Sequence, residues 1–448
     1  MGAAALIPGG TGFDIKSDSS LRYFNRSGSG PSFEVSKNGT VKASSLGKSE
    51  DKIQKGYFGS LDADSLGSVS SPVDRVSSQI SDLTATDAVY GIGSNDNWKE
   101  AFMISDYSDG GAAIQAALDA VGAHGGGRVL LSPITYKTSS TIDIPAKTYL
   151  RGAGIKTKIK LEDGANTDVV SSSSDWAGIE YLWINGNKSN NSSGSGIHLK
   201  GSTYQQRIET VNVTDCADHG ITASNVDGRV LEADLRNIQS SDNGSIGFNL
   251  KSTGDLYSEH CYAQNNGSDG FVDDTGYNTY IHPHAYSNRT GFNLLEFADR
   301  VQIVSPHMET NNRRGMLIKG NEVLIRDPVC YRNSQESAGG FAAIQIEDAS
   351  DVIISGGVAV DDSGSPTQKA AVELTTDPTD IVIENIISRG NTSGDVIGTG
   401  TRIVRNGWGK NNGDPSTTGQ WNGEGYEGAS VVDTSNSQKY VYRDGSWI

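Results

Sequence analysis

The chain has 448 residues, 55 of them glycine, with 35% hydrophobic residues and a formal net charge of −17. An acidic balance of that size disfavours nucleic-acid and anionic-membrane partners, which would be repelled. So low an apolar fraction in so long a chain excludes one thick globular core and fits a thin core that grows by repetition.

The opening MGAAALIPGG lacks a charged region and a long apolar core, so no secretory signal is expected. No apolar run is long enough to span a membrane. Over residues 1–50 apolar residues alternate weakly, at Phe13, Ile15, Tyr23, Phe33 and Val35, and Asn38-Gly39 predicts a hairpin turn between Val35 and Val41. The segment is expected to be a small β module. Residues 51–108 are poor in core residues and are expected to be a linker or neck. Within them Val73, Val76, Ile80 and Leu83 fall at heptad a and d spacing after Ser71-Pro72. That spacing predicts a short amphipathic helix, either where copies of the chain meet or simply on a surface.

From Asp109 the pattern sharpens. Ile114, Ala117, Leu118 and Val121 have helical periodicity, and Gly125-Gly126-Gly127 ends the helix. Arg128–Leu131 then reads as a strand. From about Trp176 to Gly398 one phrase recurs: Gly196-Ile197-His198-Leu199, Gly220-Ile221-Thr222-Ala223, Gly247-Phe248-Asn249-Leu250, Gly270-Phe271-Val272, Gly291-Phe292-Asn293-Leu294 and Gly315-Met316-Leu317-Ile318. The interval, roughly 21 to 28 residues, is that of a solenoid. Two-residue alternation within each phrase predicts strands, and Asn, Asp and Gly at the corners tolerate left-handed backbone. A parallel β-helix is expected over 109–405, with a sandwich of facing antiparallel layers as the alternative. Cys216, Cys261 and Cys330 lie far apart and are expected to be small core residues. In 406–448, Gly428–Thr434 and Lys439–Tyr442 flank Ser435–Gln438 and predict a β-hairpin.

The run DGGAAIQAALDAVGAHGGGRVLLSPITYKTSSTIDIPAKTYLRGAG, taken with the repeats, resembles the opening of the pectate-lyase-like right-handed β-helices, in which a short helix plugs the open end of the solenoid. The fold class expected is therefore all-β: a right-handed parallel β-helix with an N-terminal capping helix, a small N-terminal β module and a C-terminal hairpin. The resemblance implies fold strongly and chemistry weakly, since the superfamily holds lyases, hydrolases and virus spikes. With the terminal modules it implies a virus surface spike, a tailspike or capsid spike on the virion surface, that recognises a host glycan or glycoprotein. Its partners would be further copies of the chain, a trimer by analogy with tailspikes, and virion tail or capsid proteins reached through the N-terminal module. A polysaccharide depolymerase (a lyase or glycoside hydrolase) and a purely structural decoration are the alternatives.

Stacked coils should place equivalent residues in columns. Aligning the first run of each coil gives an inward column of Ile238, Cys261, Ala285, Met308, Cys330, Ala359 and Ile387. Its outward neighbours read Asn237, His260, His284, His307 and Val329 on one side and Gln239, Tyr262, Tyr286, Glu309 and Tyr331 on the other. The alignment predicts a patch of His260, His284 and His307 beside Tyr262, Tyr286 and Tyr331, suited to sugar rings and hydroxyls. Glu309 and Asp327 would be the catalytic carboxylates if it cleaves, with His284 and His307 as proton carriers. Ser258, His282, Ser305 and Asp327 would lie one step further along. Three stacked histidines could bind a metal, but rungs spaced by one strand and the absence of residues to support the ligands speak against it, so no metal or cofactor is expected; strings such as Gly152-Ala153-Gly154 read as turns.

Overall fold

The computed structural model describes residues 110–224 and 228–401 in full and, outside them, the backbone of the strands named below. The chain divides into two units, Met1–Asp82 and Leu83–Ile448. In the first, Gly12–Ile15, Leu21–Phe24, Pro31–Val35 and Val41–Ala43 form an antiparallel sheet in chain order. Val35 stands opposite Val41, the pairing expected across Asn38-Gly39. The helix expected over Val73–Leu83 lies outside the described residues.

The second unit is a parallel β-helix. It opens with α1, Gly110–Ala123, whose buried Ile114, Ala117, Leu118 and Val121 form the apolar stripe that the sequence spacing demands. Gly125 and Gly126 take positive φ and close the helix, with the Gly126 N–H donating to the Val121 carbonyl at 3.1 Å. A Cβ on Gly126 would stand 2.3 Å from the Lys147 carbonyl oxygen, so the close approach requires glycine. The parallel stacking reaches back to Glu100–Met103, which pairs with Gly127–Leu131, ahead of the boundary expected at 109.

Each coil of the repeat has three short strands separated by corners. One coil turns at Asp255, His260 and Asn265, the next at Tyr277, His282 and Ser287, then at Arg300, Ser305 and Thr310, and then at Glu322, Asp327 and Arg332; all twelve have φ between 48° and 68°. The triplets between these corners stack as parallel ladders in the long sheet, for example Tyr257–Glu259 on Thr279–Ile281 and Tyr262–Gln264 on His284–Tyr286. The third strand of each coil belongs to an eleven-stranded parallel sheet running from Ile142–Ile144 to Gly394–Gly398.

The interior is built from like residues in register. Phe248, Phe271 and Phe292 stack face to face, with centroids 4.6 and 5.2 Å apart. Each is fully buried, worth roughly 2–3 kcal/mol of transfer free energy. Cys216, Cys261 and Cys330 are buried free thiols, as expected of small core residues. At one corner a buried amide ladder climbs through Asn243, Asn266, Asn288, Asn311 and Asn333 to Gln368 and Asn391. Beyond the solenoid, Ser430–Asp433 and Gln438–Arg443 pair antiparallel as the C-terminal hairpin.

Candidate functional sites on two outer faces

The His–Tyr strip lies on the outer face of the long sheet, with one shift of register. His260 does not share a column with His284. It occupies a corner and stacks on His282 with centroids 5.0 Å apart, and Tyr262 is the residue above His284. The inward column correspondingly runs Ala263, Ala285, Met308, Cys330, Ala359 and Ser388, while Ile387 faces out and is 56% exposed. The cause is the left-handed corner. Ser258, Cys261 and Ala263 all point inward, so the spacing across the corner is three and then two. An alignment made by alternation slips by one pleat, which preserves the face but shifts the column.

What the fold brings together is His284, His307, Tyr286 and Glu309. His284 and His307 stack with centroids 4.4 Å apart and planes 5° from parallel. Glu309 is shared between them, with Oε1 3.2 Å from His284 Nε2 and Oε2 3.6 Å from His307 Nε2. Tyr262 meets the His284 ring edge-on at 5.5 Å, and Tyr331 lies next to Glu309 in its column. Burial holds the His284 imidazole below its ordinary value, His307 adds to the effect, and Glu309 opposes it. Burial raises the Tyr286 phenol, helped by Glu309. Asp327 is itself a corner residue, φ 48°, in the column of Ser305 and Gly356. It stands four residues along the coil and one rung away from the position of Glu309.

A second outer face went unread in the sequence. On the eleven-stranded sheet the central residue of each strand points outward, giving the column Ser171, His198, Thr222, Asn249, Val272, Asn293, Leu317, Gln345 and Glu373. Ser171, Thr222, Asn249, Val272 and Gln345 are buried although they face away from the core, so this face is a recessed floor. The signal was present in the third position of each recurring phrase.

Polar side chains cover the floor. Asp168 Oδ2 lies 2.8 Å from His198 Nδ1 and 3.6 Å from Lys200 Nζ. Burial pushes Asp168 up, but hydrogen bonds from His198 and the Ser195 N–H outweigh it and hold the carboxyl below its ordinary value. Next to this group His219 accepts the Ile246 N–H at Nδ1, 3.3 Å away, which leaves its proton on Nε2. Burial holds His219 below its ordinary value, against Asp218, with Lys251 and His198 adding to the depression. Further along, Arg289 grips the buried Asp269 through two 2.9 Å hydrogen bonds, and Asn293 donates to the same carboxylate at 3.0 Å. Arg314 donates to Gln345, and Lys319 pairs with Glu347 at 2.7 Å. Between these groups, two buried amide oxygens, Asn249 Oδ1 and Asn293 Oδ1, have no hydrogen-bond partner.

No family model matches this chain. In sequence it is similar to mannuronan C5-epimerases of Azotobacter vinelandii: 28% identical to AlgE5 over 260 residues and 31% to AlgE6 over 199, which is 55% and 42% of this chain but only 25% and 21% of those proteins. The chain thus spans about a quarter of the curated relatives it matches. In structure it is similar to the A-module of the A. vinelandii epimerase AlgE4, with TM-score 0.56, 21% identity, 66% of this chain and 95% of that one. It is similar to full-length tailspike protein 2 of an Escherichia coli O157:H7 bacteriophage, with TM-score 0.59, 12% identity, 71% of this chain and 48% of that one. It is also similar to pre-mature gene product 12 of bacteriophage phi29, with TM-score 0.58, 14% identity, 76% of this chain and 55% of that one. The fold is the expected parallel β-helix, the architecture of both groups.

Proposed function

We propose that this chain is the β-helical shaft of a virus surface spike that recognises a host-surface glycan, and that the sugar chain lies along the floor of the eleven-stranded sheet. The observation that carries the reading is the pair of unpartnered, buried amide oxygens of Asn249 and Asn293 in the middle of that floor. A buried acceptor without a donor is costly, and a sugar hydroxyl supplies the donor. From His198 to Glu373 the floor spans seven rung steps, about 34 Å at about 4.8 Å per rung, room for an extended oligosaccharide. The paired Asp168–His198, Asp269–Arg289 and Lys319–Glu347 groups offer donors and acceptors without a large net field. Similarity to polysaccharide epimerases and to phage tailspikes supports the same substrate class. On this reading the spike sits at the virion surface, self-associates as a trimer, and meets other virion proteins through the antiparallel module of Gly12–Ala43.

The second reading is an enzyme that modifies or cleaves the glycan. His219, whose imidazole burial and Lys251 hold below its ordinary value, has the character of a base with a cationic neighbour, which proton abstraction beside a carboxylate requires. The epimerase relatives favour this reading over a purely structural decoration.

The two separate in one experiment. The full chain is titrated against neutral and acidic envelope polysaccharides, and the products are followed by absorbance for unsaturated ends and by proton NMR for epimerisation. The expected result is saturable binding without turnover, weakened in Arg289→Ala. Turnover lost in His219→Ala selects the enzyme of the floor. Turnover lost in Glu309→Gln or Asp327→Asn moves the chemistry to the His–Tyr strip and overturns the site proposed here. Neither binding nor turnover overturns the glycan reading.

A further inference from the structure

His284, His307 and Glu309 stand apart from the floor, and their arrangement has its own chemistry. Among the described residues they are the one set of three His, Cys, Asp or Glu side chains whose ligand atoms all lie within 4.8 Å of one another. We propose that they bind a divalent transition-metal ion of the zinc class, which clasps the coil holding His284 to the coil holding His307 and Glu309.

Three observations support the site. First, a tetrahedral ion bound at about 2.0 Å places its ligand atoms about 3.3 Å apart. His284 Nε2 lies 3.2 Å from Glu309 Oε1 and His307 Nε2 lies 3.6 Å from Glu309 Oε2, each close to that edge, with one carboxylate oxygen toward each nitrogen. Second, the donor set fits a borderline ion: two imidazoles and one carboxylate suit zinc, cobalt or nickel, whereas calcium and magnesium prefer all-oxygen shells. Third, parallel register places the two histidines on adjacent rungs of one column, and both present Nε2 to the same Glu309 carboxylate. Parallel rings aim their Nε2 lone pairs the same way, so taking up one ion turns the two rings out of their stack about the side-chain bonds until the nitrogens converge.

The stack of His260 on His282 provides the internal control. Its rings are 5.0 Å apart and 20° from parallel, and the carboxylate nearest to His260, Glu259, is 3.8 Å away. The metal set has two carboxylate contacts where this pair has one.

The test uses the full chain without a histidine tag. Cobalt(II) is titrated in while its visible d–d absorption is followed, and zinc(II) is then added. The expected result is saturation at one ion per chain, with a tetrahedral-type spectrum that zinc abolishes. His307→Ala, at the more exposed histidine, and Glu309→Gln each weaken binding by at least the roughly tenfold that loss of a partner merely orienting a ligand costs. The double substitution His260→Ala/His282→Ala leaves the titration unchanged. A thermal melt of each metal-free variant shows that it is folded, and excess zinc raises the Tm of the wild type but not of His307→Ala. Absence of saturable binding overturns the site, as does one-to-one binding that survives both His307→Ala and Glu309→Gln.

Discussion

Asn266 donates its Nδ2 to Oδ1 of Asn288, one rung further along, at 2.9 Å, and the same Oδ1 accepts the Asn266 backbone N–H at 3.1 Å. Asn288 in turn donates to the Ala263 carbonyl at 2.9 Å and supplies its own N–H to Asn311 Oδ1 at 3.0 Å. One side chain thus satisfies the backbone N–H of Asn266, just past the corner where the strand Tyr262–Gln264 ends, and it does so where water is excluded.

Replacing Asn288 by Ala strands the Asn266 N–H in the interior, removes the side-chain hydrogen bond to the Ala263 carbonyl and opens a small cavity. The expected loss is about 2–4 kcal/mol. Urea unfolding followed by circular dichroism measures it, and hydrogen exchange should show the weakening concentrated at Asn266 and Asn311. A change below about 0.5 kcal/mol would mean the ladder contributes nothing.

Asp273 lies inside the coil, accepting hydrogen bonds from Thr275, Asn278 and Tyr280. Burial nevertheless pushes its carboxyl from 3.8 up to about 6. Above that value the folded protein must hold a buried anion, at a cost of roughly 3 kcal/mol; below about 3.8 both folded and unfolded forms carry the proton and the cost vanishes. The wild type therefore gains stability relative to Asp273→Asn as pH falls from 7 to 4. Paired urea midpoints across that range check the sign, and a difference that moves the other way refutes it.

The three thiols are expected to be inert in the folded state. Burial pushes Cys261 up to about 11 and Cys330 up to about 12, and raises Cys216 further. At pH 8 a disulfide reagent should label none of them until denaturant is added, and all three afterwards. Rapid labelling of the native chain would mean that the coils open locally.

Asn249→Ala separates binding from stability. The substitution deletes a buried acceptor that has no donor and breaks one 3.0 Å hydrogen bond to Thr222 Oγ1. Stability should change by less than about 1 kcal/mol, while glycan affinity falls about five- to tenfold, the worth of one hydrogen bond to a sugar hydroxyl. Unchanged affinity in calorimetry would remove Asn249 from the binding face.

Much of the molecule was legible in the amino-acid order. The two-residue alternation of Phe248-Asn249-Leu250 and its copies determined which side chains face inward, because a strand has no other way to bury one face. The recurring interval determined that coils stack, and the helix before Gly125 determined where one end of the stack is covered. What only the tertiary structure decided was the column to which each outward residue belongs. Left-handed corners at His260, His282 and Asp327 interrupt the alternation, and nothing in those side chains announces a positive φ as a glycine would. Only the ladder hydrogen bonds between coils set that register, and they alone decide that His284 stacks on His307 and not on His260. The recessed floor likewise exists only after folding: Asn249 and Asn293 become buried acceptors because neighbouring coils close around them, an effect of residues more than twenty positions away.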